Sequence, residues 1–165
     1  MEMITVNTHI TFKDFLMFNV KNSLTRILVF PLLALVFFMI KQCMEESDES
    51  NILGSASMWF LVVFLFIVIR SYFRLKSAFY SNKKIQENIS YTFTDENILN
   101  KGETFEGEFG WDTVYKVKEN KEWFLIYQSA HVMNMVPKKH FTKDQISELR
   151  SIIRNNHVKA KLRND

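Results

Sequence analysis

The fold of this chain is indicated first by an alternating stretch in its second half, Ile89-Ser90-Tyr91-Thr92-Phe93-Thr94. Apolar and polar residues exchange places at every position, which is typical of a β-strand with one buried face. The next residues, Asp95-Glu96-Asn97, favour a turn. This stretch therefore predicts the first strand of an antiparallel β domain.

Five further strands are predicted after it. They are centred on Ile98-Leu99, on the stretch from Phe105 to Trp111, on Tyr115 to Val117, on Trp123 to Tyr127 and on His131 to Val136. Glu119-Asn120-Lys121 is expected to be a turn between two of them.

A helix is predicted to close the domain. Thr142 and Gln145 have the spacing of a capping box, and Phe141 and Ile146 occupy the positions of a hydrophobic staple. The apolar face of this helix consists of Ile146, Leu149, Ile152 and Ile153. The charged residues Lys143, Glu148, Arg150 and Arg154 are expected to point away from that face. The tail from Lys159 to Arg163 is expected to be frayed.

Two apolar runs precede the β domain, Ile27 to Ile40 and Ile52 to Ile69. The second run has eighteen residues and no ionisable side chain, and as a helix it would extend about 27 Å. The first run has fourteen residues, a length that also suits a buried soluble helix, but flanking Leu24, Thr25, Cys43 and Met44 extend it. The pair predicts a transmembrane helical hairpin over residues 27–70.

Charge predicts the orientation of this hairpin. Its loop, residues 45–51, carries four acidic residues and no basic one, whereas lysines and arginines flank the runs on their other sides. Because Lys and Arg accumulate in cytoplasmic segments, both termini are expected to be cytoplasmic and the acidic loop external. Residues 1–26 would then form a cytoplasmic strand and an amphipathic helix.

The N-terminal segment offers a further strand. Ile4, Val6, Thr8 and Ile10 alternate with polar residues before Thr11 and Asp14 start a helix. Since both ends of the hairpin return to the cytoplasm, this strand can complete the sheet of the C-terminal domain; the alternative is a frayed N-terminus.

The order of these elements is that of a membrane α+β protein. A transmembrane hairpin is joined to a cytoplasmic antiparallel β domain, pleckstrin-homology-like in build and capped by a C-terminal helix. Tyr91-Thr92-Phe93-Thr94-Asp95-Glu96-Asn97-Ile98, Trp111-Asp112 and Val136-Pro137-Lys138-Lys139 add a resemblance. With the two apolar runs, they are similar to the bacterial YcxB-like membrane protein family. The resemblance implies a YcxB-like domain over residues 85–158 and a place in the bacterial plasma membrane, but no catalytic residues.

Motifs for catalysis are not evident. The four histidines, His9, His131, His140 and His157, lack the spacing of a helical metal site, and the single Cys43 has no histidine near it in sequence. The glycines do not form a phosphate-binding loop. We therefore expect a protein that is not an enzyme and that has no cofactor and no metal.

Basic residues suggest a contact surface. Lys83, Lys84, Lys138, Lys139 and His140 would lie in a domain tethered to the inner leaflet, where anionic lipid attracts cations. They are candidate contacts for lipid headgroups or a partner, although a solvated face with the usual positive-inside excess is the simpler interpretation. Nucleic acid is not an expected partner, because the net charge is only +3 and acidic residues are interleaved.

Two functions remain open from the sequence. The first is a non-enzymatic membrane protein that holds an interaction module at the inner leaflet, with a protein, a peptide or a lipid headgroup as ligand. The second is a subunit, or homo-oligomer, of a larger membrane complex of the transport-associated or immunity type.

Overall fold

The computed structural model describes residues 3–23, 31 and 50–164, except for the side chains of residues 50–61. Within these residues the strands are β1 (Ile4–Thr8), β2 (Ile89–Phe93), β3 (Asn97–Lys101), β4 (Glu106–Gly110), β5 (Lys116–Glu119), β6 (Trp123–Tyr127), β7 (Met133–Pro137) and β8 (Ala160–Lys161). The helices are α1 (residues 12–23), α2 (Ser50–Ser81), α3 (Lys83–Gln86) and α4 (Lys143–Asn155). Short 3-10 turns cover Trp111–Thr113 and Lys138–His140.

The chain forms two compact units. The β unit combines Met1–Ile10 with Lys83–Asp165, and the helical unit is Thr11–Asn82. The helical unit is thus inserted in the β unit between its first and second strands.

The first sheet has the order β1-β2-β3-β4, with every neighbouring pair antiparallel. In β1, Ile4, Val6 and Thr8 are buried and the two residues between them are exposed. The strand pairs with β2 from Ile4 opposite Phe93 to Thr8 opposite Ile89. The predicted pairing of the N-terminal strand with the C-terminal domain is confirmed.

The second sheet has the order β7-β6-β5-β8. Its hairpins are antiparallel, whereas β8 runs parallel to β5. The expectation of a frayed tail was therefore wrong. The tail is ordered because Val158 and Leu162 pack against the core, and because the backbone N–H of Val117 donates to the carbonyl of Lys159 at 2.9 Å.

Helix α4 contributes to the same core as both sheets. Leu149, Ile152 and Ile153 join a cluster that includes Phe93 and Phe124. The predicted capping box is present: the hydroxyl of Thr142 accepts from the Gln145 N–H at 3.2 Å, and the Gln145 side-chain oxygen accepts from the Thr142 N–H at 3.0 Å. The structure confirms a β domain with a C-terminal helix.

In the helical unit, α1 packs on the end of α2 through aromatic side chains. The ring of Phe12 lies 5.7 Å from that of Phe79 and 5.9 Å from that of Tyr72. At the start of α1, the Asp14 carboxylate accepts from the Thr11 hydroxyl at 2.8 Å and from its N–H at 3.1 Å. The predicted start of this helix is confirmed.

The predicted transmembrane hairpin is not found among the described residues. The first span and the loop up to residue 49 lie outside them, except for residue 31. In the part of the chain that the structure describes, no helix is both long and apolar enough to cross a membrane.

Candidate functional site

The five basic residues singled out in the sequence lie in two segments of the β unit. Lys83 and Lys84 begin α3 and are exposed. Lys138, Lys139 and His140 form the 3-10 turn that follows β7. Lys139 and His140 are exposed, whereas the side chain of Lys138 retains only 11% of its accessible surface.

Lys138 is directed into the protein, toward a buried carboxylate. Its Nζ lies 2.5 Å from Oε1 of Glu119 and 5.3 Å from the centre of the Phe124 ring. Glu119 ends β5, and its side chain is fully buried. This geometry argues against Lys138 as a contact for lipid.

Arg150 of α4 provides the second cation of this site. Its Nη2 donates to Glu119 Oε1 at 2.7 Å, and its Nε donates to Oε2 at 3.0 Å. The backbone N–H of Arg163, just beyond β8, donates to the same Oε2 at 3.0 Å. We call Glu119, Lys138, Arg150 and the Arg163 N–H the Glu119 cluster.

The electrostatics of the Glu119 cluster favour an ionised carboxylate at neutral pH. Burial alone would raise the pKa of Glu119, but the hydrogen bonds from Arg150, Lys138 and the Arg163 backbone outweigh it and hold the pKa below 4.5. A carboxylate so fixed is a poor proton donor at neutral pH. The cluster instead fastens β5 to α4, to the turn after β7 and to the C-terminal tail.

Sequence reasoning missed this cluster. The expectation that Arg150 points away from the apolar face was wrong, because only 8% of the residue is accessible. Glu119 was assigned to a turn, yet it is the last residue of β5 and shares the inward face with Val117. The signal that could have found the cluster is the period of two from Val117 to Glu119, together with the position of Arg150 four residues after Ile146.

A second anchoring carboxylate lies at the entrance to β2. Glu87 accepts hydrogen bonds from the N–H of Glu103 at 2.6 Å and of Thr104 at 2.9 Å, and from the Thr104 hydroxyl at 2.6 Å. The pKa of Glu87 is lowered, chiefly by the Thr104 hydroxyl. Beside it, Lys84 Nζ lies 5.2 Å from the centre of the Phe105 ring. Lys84 is therefore positioned by the β3–β4 turn.

An aromatic and basic surface lies on the second sheet. Lys116 Nζ lies 4.7 Å from the ring centre of Tyr127 and 5.2 Å from that of Tyr115. Tyr115 and Val132, which immediately precede β5 and β7, remain 52% and 55% exposed. The distances from Lys116 Nζ to the two tyrosine rings are within the range of a cation–π contact.

In the part of the chain that the structure describes, no group of three or more His, Cys, Asp or Glu side chains could hold a metal ion.

These observations define an antiparallel β domain closed by a C-terminal helix and interrupted after its first strand by a helical insertion. Residues 93–153 match the model of a family described as YcxB-like protein, which confirms the predicted resemblance to that family. The match extends from the end of β2 into α4, so that β1, the helical unit and β8 lie outside it. No curated protein and no solved structure matches the chain.

Proposed function

We propose that this chain is a non-enzymatic, multi-pass protein of the bacterial plasma membrane. Its helical unit anchors the β unit at the cytoplasmic face, where the β unit binds a ligand. We further propose that the β unit has a pleckstrin-homology-like architecture. The support for this architecture is a four-stranded sheet followed by the three-stranded meander β5-β6-β7 and a helix with its apolar face in the core.

The observation that carries the membrane proposal is the point of insertion. Thr8, before the helical unit, and Ile89, after it, pair with each other across β1 and β2. The buried hydroxyl of Thr8 also donates to the carbonyl of Ile89 at 3.0 Å. Both ends of the insertion therefore return to one end of one sheet. An insertion that crosses a membrane must then do so an even number of times, as a hairpin does.

The side chains of α2 give independent support. Within the described part of the apolar run, Leu65, Phe66, Ile67, Val68 and Ile69 are each 43–62% exposed. A continuous exposed stretch of large apolar residues is characteristic of a surface that meets lipid or another protein. Arg70, Arg74 and Lys76 follow it, as the positive-inside rule expects at a cytoplasmic end.

Cysteine labelling in intact cells tests the proposal. In a Cys43→Ser background, a membrane-impermeant thiol reagent is expected to label Ser50→Cys but to leave Ser81→Cys unlabelled. Ser81 ends α2 and is exposed, so permeabilised cells should label it and provide the control. Labelling of Ser81→Cys without permeabilisation would contradict the orientation, and release of the protein by alkaline carbonate would contradict membrane insertion.

The same exposed stretch keeps the second function open. Val62 to Ile69 could face neighbouring copies in a larger membrane complex instead of lipid. Mass photometry of the full chain in mild detergent separates the two. A monomer would favour the membrane-anchored interaction module. A defined oligomer that dissociates in the Phe66→Ser variant would favour the larger membrane complex.

A further inference from the structure

Three lysines share one face of the second sheet. Val117 and Glu119 point into the core, so the alternation of β5 places Lys116 and Lys118 on the opposite face. Lys161 of β8 is the register partner of Lys118, and therefore lies on that same face. Neighbouring strands are about 4.8 Å apart, so the backbones of Lys118 and Lys161 are close neighbours.

This arrangement places positively charged side chains next to one another, with no acidic side chain between them. Across the ladder on the other side, Lys116 faces Tyr127 and Lys118 faces Leu125. Among the described residues, Lys116, Lys118 and Lys161 form no salt bridge, although Lys116 contacts two tyrosine rings. Like charges directly opposite one another destabilise a sheet. A bound anion would remove this penalty.

The tail is held in place in spite of this repulsion. The Val117 N–H donates to Lys159, and the Arg163 N–H donates to the carboxylate of Glu119. These two amides are therefore bonded only while the tail is docked, and the third lysine joins the other two only in that state. Any anion that bridges the lysines must also stabilise the docked tail.

We infer that Lys116, Lys118 and Lys161 form a binding site for the phosphate of an anionic lipid headgroup, assembled by docking of the C-terminal tail. The lipid source rests on the proposed membrane location, which would keep headgroups at high local concentration. Tyr115 and Tyr127 border the site with apolar rings and polar hydroxyls, a combination suited to the membrane interface. Lipid binding and tail docking are then coupled.

Hydrogen exchange in the full-length chain tests this inference. The protein is combined with nanodiscs of phosphatidylcholine alone, or of phosphatidylcholine mixed with phosphatidylglycerol, and exchange is followed at the amides of Val117 and Arg163. Since only the Lys161 contact is gained when the tail docks, we expect the anionic discs to slow exchange by about fivefold, the factor that one lysine–headgroup contact supplies. Exchange is measured with discs present whether or not the chain inserts, and carbonate extraction reports insertion separately.

Substitution of Lys161 should affect hydrogen exchange differently in the two kinds of disc. In phosphatidylcholine discs, Lys161→Ala removes the repulsion with Lys118, so exchange should be as slow as in the unmodified chain or slower. In anionic discs the same variant should lose the added protection. Lys143→Ala is the matched control, because Lys143 is also exposed but lies at the start of α4. It should keep the full response.

Three results would overturn the inference. Equal exchange in both kinds of disc would show that the lysines bind no lipid headgroup, and an unchanged response in Lys161→Ala would place any binding elsewhere. Protection by added pyrophosphate in phosphatidylcholine discs, without protection by phosphatidylglycerol, would replace the lipid by a soluble phosphate.

Discussion

Removal of the Glu119 carboxylate is the most informative single change in the β unit. Glu119→Ala leaves Lys138 and Arg150 without their shared anion, at positions where only 11% and 10% of their side-chain surfaces are accessible. It also leaves the Arg163 N–H without its acceptor. The change therefore affects four segments of the unit at once.

The size of the effect follows from burial. Breaking a buried ion pair by removing one partner costs about 3–5 kcal/mol. Both cations keep some contact with solvent, and the flexible side chain of Lys138 can turn outward. We therefore expect Glu119→Ala to lower the free energy of unfolding by about 3 kcal/mol, near the lower end of that range. Arg150→Ala should also lower the free energy of unfolding. Because both substitutions remove the same interaction, the double variant should be less destabilised than the sum of the two single variants, with a difference of about 1–3 kcal/mol.

The assay is urea unfolding of the full chain followed by tryptophan fluorescence. In a Trp59→Phe background the signal comes from Trp111 and Trp123, which are only 2% and 4% exposed. Glu106→Ala is the matched control. It breaks the Lys101–Glu106 pair, whose side chains are 67% and 66% exposed, and should cost less than about 1 kcal/mol. Equal costs for Glu119→Ala and Glu106→Ala, or additive effects in the double variant, would refute the reasoning.

The pKa of Glu119 gives the same experiment a pH dependence. Since the folded pKa lies below the usual 4.5, the ionised carboxylate contributes stability above pH 4.5 that is lost as the pH falls through the folded pKa. Glu119→Gln has no such group, so its stability should decline less steeply with acid over that window. Parallel pH curves for the two proteins would contradict the assigned shift.

Three further changes test the fold. Deletion of residues 1–10 removes β1 and part of the core, and we expect faster hydrogen exchange along β2; an unchanged pattern would contradict the pairing. Thr142→Ala removes the cap of α4 and should lower the free energy of unfolding by about 1 kcal/mol, which urea unfolding measures. Gly102→Ala places a methyl group 2.5 Å from a Phe105 ring carbon and 2.6 Å from Glu87 Oε2. Exchange at the amides bound by Glu87 should then increase, and Ala substitution at exposed Lys101 serves as its control.

Strands β1 and β2 could be predicted because their residues alternate strictly between buried and more exposed positions. β1 and β2 each bury every second residue, and their buried positions face the same core. The predicted strand from Phe105 to Trp111 is shorter in the structure, since β4 ends at Gly110 and Trp111 begins a 3-10 turn. There the indole N–H donates to the Thr94 carbonyl at 2.9 Å. A side chain that fixes a corner between two sheets leaves no period in the sequence.

The tail and the Glu119 cluster could not be predicted for a different reason. β8 has only two residues, and both are exposed, so it carries no alternation. Glu119 and Arg150 are 31 residues apart, and each resembles an ordinary surface charge until the fold brings them together. Local patterns report which face of an element is apolar, but they do not report which charge will be matched by a partner from another element.

The β unit extends beyond the family match at both of its ends. β1 forms one edge of the first sheet and β8 one edge of the second, and neither lies within residues 93–153. A fragment of residues 85–158 would lack both strands. It would lose Ile4 and Val6 from the core, leave the edge of β2 unpaired, and remove the Arg163 N–H from Glu119. Unpaired edges favour association with other chains. The β unit therefore includes β1 and β8, and binding to membranes should be measured on the full chain, which contains both.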